Sequence, residues 1–534
     1  MATVSSIQSA TQPAIQSATK IRVTNPATGV VLAELPAATA ADVQAAILRA
    51  RAAQPAWNAI GGKARARILS KFLELLNRQR SEVAALITSE AGKPEVEALL
   101  TELIPALDSA QFCAENAEKF LRPERIRHRN PIMKTKQGYL LREPHGVIGI
   151  ISPWNYPFSI PTTEVLAALA MGNAVVLKPS ELTPLCALRL QVMLRQAGVP
   201  DGVFEVVVGD GSAGAALIAD AQPVDKIVFT GSVRTGKQVA QAAAAKLIPV
   251  VLELGGKDPM IVLDDADVEV AASAAVWGAF VNAGQTCLSV ERCYVHKSIL
   301  QQFLAACTEK TGRLRVGDGS RTDIEVGPMI HERQLAIVEQ HVRDAESRGA
   351  KVLVGGKRLT ELGPNFYAPT VITNVDHTMA LMRDETFGPV LPIMPFDSDD
   401  EAVHLANDSE FGLAASIWTR NRARGEALAR RIQAGTVMVN DCLTGFAISE
   451  APHGGIKSSG IGRTHGRMGL EEMVRVKYVD SDLLPRMSKI WWYGYSQAFA
   501  EQMRAFVDFL FAGRWDKRLK GGIKSAAALR RKKI

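Results

Sequence analysis

Between Ala40 and Ser89 apolar residues recur at helical spacing with a break at Gly61-Gly62, which predicts two or three helices before any strong strand. From residue 146 the pattern changes. Short Val/Ile-rich runs, GVIGII (146–151), NAVVLK (173–178), VFEVVV (203–208), KIVFT (226–230) and PVVLEL (249–254), alternate with helical patterns from about 161 and 184 and after Gly214 and Gly231. Apolar runs separated by helices predict a parallel sheet covered on both faces. Sheets of this kind bind ligands at the carboxyl ends of their strands.

A second alternating series follows: MIVL (260–263), a helix from about 267, CYVH (293–296), helices near 298–311 and 331–348, then KVLVGG, TVIT, PVLPIM, AASIWT and GTVMVN. The expected fold class is therefore α/β with two parallel-sheet regions, which suits a chain of 534 residues, too long for one ordinary core. Strand character also appears at 125–144, interrupting the first series, and in MVRVKYVD (473–480).

Composition changes this picture little. With 47% hydrophobic and 22% charged residues the chain reads as soluble and globular. Its six cysteines (Cys113, Cys186, Cys287, Cys293, Cys307, Cys442) show neither zinc spacing nor a disulfide ladder, so a reducing, cytoplasmic setting is expected. The nine histidines have no metal spacing. A net charge of +7 hints at nucleic acid, but nine Lys/Arg against one acid fall between Arg514 and Ile534, leaving the body near neutral and no nucleic-acid partner expected. Residues 1–20 lack the basic start and apolar core of a secretory signal, and IQSAT occurs twice in them, which predicts a disordered leader.

Candidate chemistry centres on FVNAGQTC (280–287), a small-residue loop ending in Cys287. A cysteine is a strong nucleophile near neutral pH if something nearby favours its thiolate. Gly284 is expected to let backbone approach a bound molecule. A lone cysteine is more often simply buried, but Glu253 in VLELGGK, Asn155 in SPWNYP and Glu385 in DETFGP supply a base, an amide donor and a second carboxylate. Two patterns mislead. Gly209, Gly211 and Gly214 spell G-x-G-x-x-G after a strand, a weak dinucleotide fingerprint when alone. GSVRTGK (231–237) spells most of a phosphate-cradling P-loop, but Gln238 replaces the Ser or Thr that holds magnesium.

Together SPWNYP, LKPSE, FTGS, VLELGGK, the cysteine loop and ETFGP resemble the aldehyde dehydrogenase superfamily over roughly residues 21–480. The resemblance implies a Rossmann-type cofactor domain over 21–255, interrupted by an oligomerisation arm at about 125–144, and a catalytic domain over 256–440. Residues 441–480 then return to the cofactor domain and add a pairing strand, giving a homodimer or homotetramer. In the implied chemistry Cys287 attacks an aldehyde, Asn155 and the Cys287 backbone N–H hold the oxyanion, and Glu253 activates water against the thioester. Implied cofactor contacts are Ile151, Trp154, Lys178, Glu181, Gly211, Gly231, Ser232, Gly236, Leu254, Glu385 and Phe387, with Trp154 also readable as packing. Glu181 would accept from ribose hydroxyls and repel a 2′-phosphate, favouring NAD, while Lys178 keeps NADP open. Glu253 favours release of a free acid over transfer to coenzyme A. His453 in APHGG and GRTHG (462–466) depart from the family's commoner aromatic and acidic residues. The rival from another class is an idle binding or structural protein on the same fold, against which the intact reacting positions argue.

After Leu484-Pro485, Trp491, Trp492 and Tyr493 precede a helical stripe of Phe499, Met503, Phe506, Val507 and Leu510, and the basic cluster follows. This tail, 481–534, is too short and too polar to span a bilayer. It is expected to lie on an anionic membrane surface, with packing on protein as the alternative. A membrane setting suits an apolar aldehyde, medium or long aliphatic or aromatic; succinic semialdehyde is the alternative.

Overall fold

The computed structural model describes residues 19–219 and 222–529, which fall into two compact units. Residues 1–18 of the expected leader lie outside the described residues, and Lys20 already opens a strand.

The larger unit takes in residues up to 122 and Arg142–Val476. It begins with an antiparallel pair, β1 (Lys20–Thr24) and β2 (Val31–Pro36). Three helices follow, Ala40–Ala59, Gly62–Arg78 and Arg80–Ala91. Thr39 and Asp42 form a capping box at the start of the first, and Gly61, at φ +80°, makes the break that the spacing predicts. The chain leaves this unit through β3 (Glu124–Ile126) and β4 (Lys136–Pro144) and returns at β5 (Val147–Ile151).

From there β6 (Ala174–Lys178), β7 (Phe204–Val206), β8 (Lys226–Thr230) and β9 (Val250–Glu253) join β5 in a parallel sheet of order β9-β8-β5-β6-β7. Strand order reverses beside β5, so the ends of β5, β8 and β9 open into one crevice. The G-x-G-x-x-G expectation needs correcting. Its helix starts at Gly211, not after Gly214, because Asp210 accepts from the Ser212 N–H at 2.8 Å and caps that helix.

The second series forms a sheet of order β12-β13-β14-β11-β10-β15-β16. Its strands are β10 (Pro259–Val262), β11 (Arg292–His296), β12 (Lys351–Val354), β13 (Thr370–Thr373), β14 (Val390–Phe396), β15 (Ala414–Trp418) and β16 (Thr436–Val439). All neighbours run parallel except β12 with β13. A short strand β17 (Gly460–Ile461) then adds antiparallel to β9, completing six strands in the first sheet.

The smaller unit holds Pro123–Leu141 and the chain from Lys477 onward. Here β18 (Val474–Asp482), β4 and β3 make a three-stranded sheet, with Lys136 paired to Asp480 at 2.8 Å. The Tyr478 ring lies so close over Gly138 that a Cβ there would fall 2.5 Å from its hydroxyl. The tail is a helical hairpin, Gln497–Phe511 and Trp515–Leu529, rather than one amphipathic helix. A Cβ on Gly521 would sit 2.5 Å from the Ala505 carbonyl, so glycine lets the second helix close on the first. That half-covers Phe499, Met503, Phe506 and Leu510, while Val507, Phe509, Phe511, Trp515 and Trp492 stay exposed. No helix among the described residues is long and apolar enough to cross a membrane.

Candidate active site

The cysteine loop is held in an expensive shape. The helix Val268–Phe280 stops, and Asn282 and Ala283 both take φ +54° before Gly284 at +72°. Non-glycine residues in this region cost of order 1 to 3 kcal/mol each, so the surroundings must impose the conformation. They do. A Glu97 carboxylate oxygen accepts from the Asn282 N–H at 3.0 Å, and Asn282 Nδ2 donates to the carbonyls of Asn155 at 2.9 Å and Gln285 at 3.2 Å. Gln285 in turn donates to the Asn282 carbonyl at 2.9 Å and accepts from the Ile330 N–H at 2.8 Å. Gly284 serves the protein rather than a ligand, because a Cβ there would lie 2.1 Å from the Gly388 carbonyl oxygen.

Asn155, in the loop after β5, is 4% exposed. Its Nδ2 donates to the Gln285 carbonyl at 3.0 Å, which uses one of its two N–H groups and leaves the other free for the cavity that Asn155 lines. Its own carbonyl is clamped by Lys93 Nζ at 2.8 Å. Lys93 pairs with Glu102 at 2.7 Å, both side chains wholly buried, and Glu102 also accepts from the N–H groups of Phe158 and Ser159 at 2.8 and 2.9 Å. Glu102 lies in the π-helical turn Ala98–Leu103.

The electrostatics differ from the sequence expectation. Burial pushes the Cys287 thiol up, and the carboxylates of Asp258, Glu385 and Glu253 add to it. Only the smaller pull of the Cys287 backbone N–H is set against them, so the resting sulfur keeps its proton until a base takes it. Glu253, at the end of β9, is itself pushed well above the carboxylate range, by burial first and then by Glu164, with Arg463 opposing. Neither of its oxygens has a hydrogen-bond partner among the described residues. His453 Nε2 stands 3.9 Å away, but burial drives its pKa down to about 3, so it is a neutral neighbour and not an ion-pair partner.

Two cavities of about 250 and 300 Å³ meet at Cys287, with Ile160 also on both walls. One, of about 300 Å³, brings together Trp154, Asn155, Gly231, Ser232, Glu253, Leu254, Glu385 and Phe387. Gly236 backs it, since a Cβ there would fall 2.5 Å from the Leu254 side chain. Trp154 packs edge-on against Phe387 at 5.5 Å. Ser232 caps the helix Val233–Ala244, whose free N–H groups suit an anion. Glu385 accepts from the Gly256 N–H at 3.0 Å, and a Cβ on Gly255 would collide with it. Its loop is held by Glu291, which accepts from the N–H groups of Thr386 and Phe387 at 3.0 and 2.9 Å and pairs with buried Lys257.

Ile151, Lys178, Glu181 and Gly211 do not line this cavity. Ile151 and Lys178 side chains flank Gly214, Lys178 pairs with half-exposed Glu181 at 3.3 Å, and Gly211 has open space beside it. An anion-accepting helix start, a buried carboxylate and a glycine-lined wall fit a dinucleotide. The second cavity, of about 250 Å³, is walled by Leu100, Pro105, Tyr156, Trp277, Val281, Leu288, Leu443 and Phe446, and none of its lining residues is Lys, Arg, His, Asp or Glu. The sequence reading missed Lys93, Glu97, Glu102, Gln285 and Glu291, which no local motif marks.

Comparison with known proteins bears on the family and the fold. A model described as aldehyde dehydrogenase family matches residues 14–479. A 4,4'-diapolycopene aldehyde oxidase from Methylomonas sp is 39% identical over 516 residues, covering 96% of this chain and 94% of that protein. Among solved structures, an aldehyde dehydrogenase from Bacillus cereus in complex with NAD+ is 36% identical with a TM-score of 0.84, covering 87% of this chain and 94% of that one. A succinate-semialdehyde dehydrogenase from Burkholderia pseudomallei is 35% identical with a TM-score of 0.84, covering 88% and 96%.

Proposed function

The chain belongs to the aldehyde dehydrogenase family, and from that premise we propose that it oxidises an apolar aldehyde to the free carboxylic acid through Cys287. The observation that carries this reading is the position of Cys287 between an apolar cavity and a polar one that also holds Asn155 and Glu253. The aldehyde enters on the apolar side. Glu253 relieves Cys287 of its proton, and the sulfur adds to the carbonyl carbon as a thiohemiacetal. The free N–H of Asn155 and the Cys287 backbone N–H meet the charge on oxygen.

NAD or NADP, the cofactors of the family, supplies the hydride acceptor when bound. The residues that would hold it are Gly231, Ser232 and Gly236 for the phosphates, Glu385 for a ribose, and Phe387 with Trp154 and Leu254 for the ring. Lys178 and Glu181, with Ile151 and Gly211 nearby, would take the adenosine end. Once Glu253 has released the proton it took from sulfur, water attacks the thioester carbonyl, Glu253 accepts a proton from it, and the C–S bond breaks with that proton returned to sulfur.

The apolar lining supports an apolar aldehyde over succinic semialdehyde, whose carboxylate needs a cation that the wall lacks. The relative named for 4,4'-diapolycopene aldehyde is consistent with that preference. The exposed Val476 and Tyr478 on β18 support pairing of subunits as a homodimer or homotetramer. Exposed Trp492, Phe509, Phe511 and Trp515 among tail lysines and arginines support peripheral contact with an anionic membrane.

The test is NADH formation at 340 nm with hexanal, decanal, benzaldehyde and succinic semialdehyde, in NAD and in NADP. The reading requires kcat/KM for the apolar aldehydes to exceed that for succinic semialdehyde, and the reverse order would refute it. A chain truncated after Ser481 that partitions with anionic vesicles as the full chain does would dispose of the membrane contact.

A further inference from the structure

Glu164 is a buried carboxyl that the steps above leave without work. It sits in the helix Ser159–Ala170, is 3% exposed, and accepts from the Thr230 hydroxyl at 2.9 Å through one oxygen. Its other oxygen has no hydrogen-bond partner among the described residues. Unpaired buried polar atoms are rare enough to need a reason.

A chamber of about 30 Å³ is lined by Cys287, Glu164, Glu253, Thr230, His453 and Thr464, with Leu254, Leu413 and Phe446 among its apolar walls. That is room for a water, and unpartnered atoms of Glu164, Glu253 and His453 are there to bind it. A second cavity, of about 20 Å³, is lined by Glu164, Thr163, Thr464, His465, Ser109 and Ser449. Glu164 belongs to both walls, and His465 Nε2 is also unpartnered.

We propose that Glu164 exchanges protons with Glu253 across the first chamber and passes them on through the second, so that protons leave the site by a route separate from the aldehyde's. The inference rests on Glu253 acting as the base. Turning an aldehyde and a water into a carboxylate while a hydride departs releases two protons, and Glu253 must shed the one it takes from Cys287 before it can accept one from water. A water in the chamber takes the proton from Glu253 as it gives its own to Glu164. The bonds made and broken balance, and no co-reactant is needed.

Other charged groups around the pair are Arg463, which favours an ionised Glu253, and Glu472, which opposes it and is paired with Lys226. His453 and His465 are both held neutral by burial. Burial also pushes Glu164 up to about 8, within reach of proton exchange near neutral pH. A purely structural Glu164 could be a glutamine, whose carbonyl would accept from Thr230 equally well.

The experiment uses the full-length enzyme with decanal and NAD, comparing Glu164→Gln and Glu164→Asp with the unaltered chain. Glu164→Gln should keep the first-turnover burst of NADH within about twofold while slowing the steady state roughly tenfold, the span of a general acid–base contribution being about 10² or more. Its acid limb of kcat should move to lower pH, since Glu253 loses a repelling neighbour. Glu164→Asp should recover part of the steady-state rate. A Glu164→Gln enzyme with unchanged steady state and pH limb, or one whose burst falls in proportion, overturns the inference. An unaltered enzyme that forms no NADH from decanal overturns the proposed function itself.

Discussion

Replacing Asn155 by alanine tests the oxyanion assignment most selectively, because the structure separates what the side chain does from what the backbone does. The carbonyl of Asn155 is held by Lys93 at 2.8 Å and by Asn282 at 2.9 Å, and neither bond involves the side chain that is removed. The fold loses only the Nδ2 bond to the Gln285 carbonyl, at 3.0 Å, which costs about 0.5 to 1.5 kcal/mol of stability. The reaction loses the remaining N–H. A donor aimed at a developing oxyanion is worth about 2.7 to 4 kcal/mol, a rate factor of about 10² to 10³. Stopped-flow NADH formation in the first turnover is the assay, with thermal unfolding alongside it. Asn155→Ala should lower the burst rate and kcat/KM together by about that factor while melting within a few degrees of the parent. A burst rate within threefold of the parent, with any loss confined to KM, would refute the reasoning.

Other consequences follow from the same geometry. Burial and the Glu164 charge hold Glu253 well above the carboxylate range, so its active, ionised form appears only as pH rises; kcat at saturation should still be climbing with pH well above the range in which an ordinary carboxylate titrates, and a profile already flat there would contradict this. Lys93→Met strands the wholly buried Glu102 carboxylate and should cost about 3 to 5 kcal/mol in urea unfolding, whereas unchanged stability would show the ion pair to be inert. Glu181→Gln removes a half-exposed carboxylate paired with Lys178, and should raise the NADP-to-NAD ratio of kcat/KM by roughly tenfold; an unmoved ratio would take Glu181 out of the ribose site.

The sheets were legible because each buried parallel strand is a short Val/Ile run, as in AVVLK and KIVFT. That Cys287, Asn155 and Glu253 share one cavity was legible because each lies in a local motif in or just after a strand or helix, and those ends face one crevice. The clamp around them was not. Lys93 reaches Asn155 across 62 residues and Glu97 reaches Asn282 across 185, and a lone charged residue with no motif around it reads as solvated. The tail misled for another reason: the Phe499 stripe has the period of a lone amphipathic helix, and only Gly521, meeting Ala505, makes it half of a hairpin. The state of the sulfur escaped as well, since its three carboxylate neighbours come from segments that the sequence does not place side by side.

The central claim is that one cysteine of six takes the acyl group and Glu253 releases it to water. Glu253→Gln, which loses the base for both half-reactions, should form NADH from decanal and NAD more slowly than the parent, stop at one equivalent without sustained turnover, and after quenching and digestion show an acyl adduct mapped by mass spectrometry to the peptide containing Cys287. Sustained turnover in Glu253→Gln, or an adduct on any of the other five cysteines, would contradict the account.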